Sequence, residues 1–133
     1  VSYSTVLAAL HTRLATVAGI AVLLDYEPMS LQELPALYSL LDSVERSYGG
    51  TVVTIHYRVL HRLCFRWQDE EQAEQELIPF VNSVPAALDE HNMRGGDVTV
   101  PNVEAVFVTI GGVLYRALDF YSETEEILRL GNG

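Results

Sequence analysis

At 133 residues the chain is long enough to bury a core without disulfide or metal staples. A hydrophobic fraction of 49% with 20% charged residues is a globular composition, and no apolar run reaches the roughly 18 residues that a membrane helix needs. Eighteen acidic against eight basic residues give a net charge of −10, which argues against affinity built on neutralising phosphates but leaves room for a surface that nucleic acid slides past.

All eight basic residues are Arg. Arg suits planar pairing across interfaces, although GC-rich coding bias explains the choice equally well. Cys64 is the only cysteine, so no internal disulfide is expected, in keeping with a reducing compartment. No basic stretch precedes an apolar run at the N-terminus, so no signal peptide is expected. The whole of 1–133 reads as one domain.

In chain order, 4–18 predicts a helix capped by Ser4 or Thr5. Leu7, Leu10, Leu14 and Val17 fall on one face and Gly19 is its stop. His11 and Arg13 sit off that stripe and are expected to be solvated. Residues 20–26 form a short strand ended by Pro28, and 29–35 connect it to an ambiguous stretch, 36–46, read as a strand because Tyr48-Gly49-Gly50 bends it into the next one.

Residues 51–67 are the clearest strand. Thr51, Val53, Ile55, Tyr57, Val59, Leu63, Phe65 and Trp67 share one face, interrupted by His61. Thr54, His56, Arg58, Arg62 and Arg66 take the other, with Val52, Leu60 and Cys64 among them. Seventeen residues would span roughly 55 Å, so the strand either bends into a neighbouring sheet or projects as a β-arm.

Asp69 is placed to cap a helix over 69–91, and the acids that follow suit its positive end. Ala73, Leu77, Phe80 or Val81, Val84 and Leu88 form its buried stripe. Pro79 and Pro85 predict a kink or two abutting helices, the second capped by Asn82 or Ser83. Met93 to Gly96 reads as a turn. Strands 97–110 and 113–123 are joined by Gly111-Gly112, with Pro101 marking an edge or a bulge. The tail from Glu123 reads as polar and frayed. The order α-β-β-β-α-β-β gives an α+β two-layer sandwich: an antiparallel or mixed sheet, two helices on one face and a long β-hairpin arm.

Motifs for chemistry are sparse. In HYRVLHRLCFRW, residues 56–67, period-two spacing turns His56 away from His61 and His61 away from Cys64, so no metal site is expected. Cys64 has no partner base in sequence, no phosphate-binding glycine loop or nucleophile elbow occurs, and the Gly-Gly pairs are turns. Neither catalytic residues nor cofactors are expected. Arg58, Arg62 and Arg66 share a face that could track a nucleic-acid backbone. Their alternative use is ion pairing, with Asp42 and Glu45 on the probable partner strand or with another subunit.

Several stretches in this order resemble the tail terminator family of long-tailed bacteriophages. They are the helix LAALHTRLATVAGI, the strand ending DYEP, the long strand VVTIHYRVLHRLCFRW, the helix DEEQAEQELIPFVNSVPAAL and the hairpin IGGVLYRALDFYSETEE. None is a strict motif, the specificity lies in their order, and 27–46 departs from it. The resemblance covers nearly the whole chain. It implies a non-enzymatic virion protein, assembled in the host cytoplasm, that forms a hexameric ring on the head-proximal end of the tail tube. The ring would stop addition of tail tube protein and meet head-completion and other neck proteins. DNA would pass through the lumen without specific binding, and no membrane is involved. Related readings are a head-completion or stopper ring and a tube-like subunit; a monomeric adaptor or nucleic-acid-binding domain is the reading of a different class. A cyclic ring needs two different complementary patches. The Arg-bearing arm (Arg46, Arg58, Arg62, Arg66) and the acidic helix start (Asp69, Glu70, Glu71, Glu74) are the expected pair.

Overall fold

The computed structural model describes residues 3–67, 70–89 and 98–130. Helix α1 (Tyr3–Leu14) leads into strand β1 (Val22–Leu24), strand β2 (Ala36–Gly49) and strand β3 (Val52–Arg66). Helix α2 (Glu70–Leu88) follows, then strands β4 (Val98–Ile110) and β5 (Val113–Arg129). The five strands form one mixed sheet in the order β1-β2-β3-β5-β4, parallel only between β1 and β2. This is the α+β architecture and the α-β-β-β-α-β-β order that the sequence predicts.

Strand β3 is the axis of the sheet, paired with β2 from Val52 to Cys64 on one side and with β5 over its whole length on the other. Its alternation is the one expected: Val53, Ile55, Tyr57, Val59, His61, Leu63 and Phe65 are all buried. Leu37, Leu63 and Leu118 stand abreast on β2, β3 and β5, and with Val59, Phe65 and Phe120 they meet Leu7, Leu10 and Leu14 of α1 and Leu77, Phe80, Val84 and Leu88 of α2. Both helices therefore lie on this inner face.

The other face is closed at one end by the segment between β1 and β2. Leu31 and Leu34 pack there against Tyr38, Cys64, Ile110 and Tyr115. The segment reaches the β4–β5 turn, where the Met29 carbonyl oxygen lies 2.6 Å from where a Cβ on Gly111 would stand.

Five expectations are corrected. Helix α1 starts at Tyr3, so Ser4 and Thr5 lie inside its first turn, and it ends at Leu14. Its exit tightens through bonds from Thr16 N–H to Arg13 O (3.1 Å) and Val17 N–H to Leu14 O (3.0 Å). His11 and Arg13 are not solvated, since His11 bonds Ser39 and Arg13 Nε donates to the Ala87 carbonyl (2.8 Å). Helix α2 runs as one element through Pro79 and Pro85, so the alternative of two abutting helices does not hold.

The polar tail is not frayed either: β5 continues to Arg129, paired with Val52. Alternation persists there, but Thr124 and Glu126 hold the buried positions, so it does not show as hydrophobicity. Pro101 sits on the outermost strand at a register shift between Thr99 and Asn102, as an edge and a bulge both require. The Met93–Gly96 turn and the Asp69 cap lie outside the described residues.

Gly111 has φ +59°, a conformation that costs a Cβ-bearing residue, and here the Cβ would also strike the Met29 carbonyl. Gly111→Ala should lower stability by about 1–3 kcal/mol, whereas Gly112→Ala, with open space around it, should carry only the backbone part. Urea denaturation of the two variants checks this; equal losses would mean that the Met29 carbonyl does not constrain Gly111.

Candidate assembly interface

Strands β2, β3 and β5 run side by side, and past β4, which pairs no further than Thr124, they continue as a three-stranded arm. On its outer face the Arg residues of β3 meet acids of the flanking strands. Arg62 makes a bidentate pair with Asp119 of β5 (Nε–Oδ1 2.7 Å, Nη2–Oδ2 2.8 Å), and its Nη1 reaches the Tyr38 hydroxyl at 3.5 Å. Asp119 is buried while Arg62 is partly exposed. Arg58 stacks over the Tyr121 ring at 4.6 Å. Its Nε lies 3.1 Å from Asp42 but out of line for a hydrogen bond, so that attraction is Coulombic. His56 is held between Glu125 (3.0 Å) and Glu123 (3.5 Å).

The expected interface residues thus separate. Arg58 and Arg62 are engaged by their own chain, so cross-strand pairing is a use the structure gives them. Arg66 is exposed at the end of β3, on a groove of about 460 Å³ with Gly19, Pro35, Phe65, Glu76 and Phe80. Arg46 is exposed near the arm tip on the inner face, its Nε 3.3 Å from the Tyr48 hydroxyl. On α2, Glu71 is exposed, and Glu74 is paired with Arg116 at 2.8 Å. Glu70 begins the helix, and Asp69 lies outside the described residues.

A polar chain runs beneath α1. Asp25 meets His11 Nδ1 at 3.1 Å, and His11 Nε2 lies 2.8 Å from Ser39 Oγ. Ser39 Oγ is 2.7 Å from His61 Nδ1, and His61 Nε2 is 2.8 Å from Ser122 Oγ. Asp25, His11 and Ser39 fall in the hydrogen-bond order of a catalytic triad. The burial is reversed, however: Ser39 is sealed under α1 and Asp25 is exposed. The arrangement therefore satisfies buried polar atoms and fixes α1 on the sheet. The interruption at His61 was visible in sequence; its partners, Ser39 and Ser122, carry no signal until the register is known.

Burial pushes His61 down to about 3, with His11 nearby adding to it. Burial also lowers His11, against the opposing pull of Asp25. Burial raises the Cys64 thiol to about 12, which leaves it inert as a nucleophile. Among the described residues no group of three His, Cys, Asp or Glu is arranged to hold a metal ion, and no helix is long and apolar enough to cross a membrane.

The surface the sequence reading missed is the edge of β2. Strand β1 pairs only with Ala36–Tyr38, so among the described residues β2 has no strand neighbour on that side from Ser39 to Gly49. A bulge at Asp42, between Leu41 and Ser43, resets the alternation and puts Leu41, Val44, Arg46 and Tyr48 on the same inner face. Their apolar members are 45%, 43% and 68% exposed. An unpaired edge beside exposed apolar side chains is what strand edges are normally built to avoid, unless a partner covers them. The bulge, which no spacing rule announces, hid this stripe.

No protein-family model matches the chain, and no curated protein matches it in sequence.

Two outcomes follow from the paired groups. Arg62→Ala leaves the Asp119 carboxylate buried without its partner and should cost about 3 kcal/mol or more. Arg66→Ala, at an exposed strand end, should cost under about 0.5 kcal/mol; chemical denaturation of both tests the contrast. Stability should also fall with pH below about 6.5, because the unfolded chain then binds a proton that folded His61 refuses. The loss should approach about 1.4 kcal/mol per pH unit from this group, down to its folded value of about 3. Denaturation between about pH 7 and pH 5, referenced to His61→Gln, isolates it; identical slopes in both proteins would reject the assignment.

Proposed function

We propose that this chain is a structural ring subunit of the phage tail-terminator kind. It ends tube polymerisation at the head-proximal end of a tail and presents a surface to head-completion and neck proteins, with DNA passing through the lumen. The observation that carries the reading is the β2 edge from Ser39 to Gly49, which lacks a strand neighbour and bears Leu41, Val44 and Tyr48 exposed on one face. A subunit that must meet copies of itself needs such a surface; in a solitary domain it is an aggregation liability.

The charge supports the same role. At −10, the surface repels phosphate, as suits a lumen through which DNA moves without being held. Arg58 and Arg62, which could have tracked a backbone, are engaged by Asp42 and Asp119. Nothing in the role requires catalysis. A tube-like subunit is the second reading, favoured by the outer edge of β4, which is also open among the described residues.

Negative-stain electron microscopy with native mass spectrometry distinguishes these roles. Discrete closed rings of one stoichiometry, hexamers by the resemblance, are expected, and they should not lengthen with concentration. Extended tubes from the chain alone would establish the tube-like reading, and a monomer at all concentrations would overturn both.

A further inference from the structure

Resting on that reading, we infer that the two complementary patches of the subunit contact are the inner-face stripe of the β2 arm and the outward face of helix α2 on the next copy. The stripe is Leu41, Val44, Arg46 and Tyr48; the helix face carries Ile78, Val81 and Glu71.

The stripe is exposed because the helical layer stops short of it. A helix is about 10 Å across and strands are about 4.8 Å apart, so one helix covers about two strands. Helix α2 lies over β3, β4 and β5, and α1 packs beside it. Toward the arm tip, Tyr3 and Val6 of α1, together with Leu128 of β5, pack against Val53, Ile55 and Tyr57 of β3. Edge strand β2 is left with room for a third helix alongside.

Helix α2 has the matching character. Ile78 is 60% exposed and Val81 37%, unusual for large apolar side chains on a helix whose buried stripe is already supplied by Ala73, Leu77, Phe80, Val84 and Leu88. Glu71 lies two turns before Ile78 on the same side, and α2 contains no basic residue. Among the described arm residues of β2, Arg46 is the one charge on the inner face: Asp42 is drawn to Arg58, and Glu45 stands opposite His56 on the outer side.

Apolar therefore meets apolar, and the lone cation of the stripe meets an acidic helix. Arg46 lies between Val44 and Tyr48, about 6.6 Å along the strand from each. Glu71 lies about 10 Å along the helix from Ile78, so an obliquely crossing helix engages both pairs together. The patches are different surfaces of one chain, which makes the contact heterologous, the kind that closes into rings.

The test uses full-length chains with one patch disabled in each: Val44→Glu for the stripe and Ile78→Glu for the helix. Both positions are exposed, and circular dichroism confirms that each variant folds. Each alone should remain monomeric at concentrations where the wild type forms rings. Mixed, they should form a discrete 1:1 dimer in native mass spectrometry, because one intact stripe meets one intact helix. Arg46→Glu and Glu71→Arg should each weaken assembly about tenfold, and the double swap should restore it. Rings that persist in both single-patch variants, or a mixture that stays monomeric while the wild type forms rings, would overturn the inference and leave the ring reading standing. A wild-type chain that never self-associates would overturn both.

Discussion

Two helices of 12 and 19 residues cannot cover a sheet whose central strand has 15. At about 1.5 Å per helical residue and 3.3 Å per strand residue, the helices reach about 18 and 28 Å against roughly 50 Å of strand. The rest of the structure answers that mismatch. Where helices lie over the sheet, the inner face is filled with Leu, Val and Phe. Where the segment between β1 and β2 crosses beneath it, the outer face is apolar around Tyr38 and Cys64. Beyond that segment, the outer face must be stabilised by something other than a second layer.

On the outer face that something is charge pairing between neighbouring strands. The register sets Arg62 opposite Asp119 and Arg58 opposite Glu123. Pairs this exposed contribute little energy singly, but like charges directly opposite would be destabilising, so the pattern favours the observed register over a one-residue slip. The Arg62–Asp119 pair is the partly buried member and the one with bidentate geometry. Under α1, the His11–Ser39–His61–Ser122 chain does similar work: any other register would leave buried nitrogens and hydroxyls without partners, at a higher cost than the bonds gain.

The division between what sequence shows and what it conceals follows from these covers. The inward residues of β3 were legible because, His61 apart, they are themselves apolar or aromatic beneath the helices, so period two is written in hydrophobicity. The end of β5 was not, since its inward positions hold Thr124 and Glu126, and Tyr57 donates to that Glu at 3.1 Å. His11 was misplaced for a related reason: helical periodicity locates an apolar stripe, but it cannot know that the sheet below offers Ser39. The expected Arg face was a real face of β3, but whether its charges are free depends on which acids the register brings opposite. Asp119 stands 57 residues from Arg62 in the chain.

The bulge at Asp42 ties the two faces of the arm together. By adding one residue to β2, it leaves the Asp42 side chain near Arg58 on the outer face. The same extra residue inverts the alternation beyond it, so Val44, Arg46 and Tyr48 turn inward where Ser43, Glu45 and Ser47 would otherwise stand. Without the bulge, the uncovered stretch of edge strand would present a Ser-Glu-Ser surface that water solvates readily. With it, the edge exposes Val44 and Tyr48 beside Leu41, at some cost in solubility. The bulge therefore trades a solvated edge for an apolar one, and the outer face is closed by the same residue that opens the inner one.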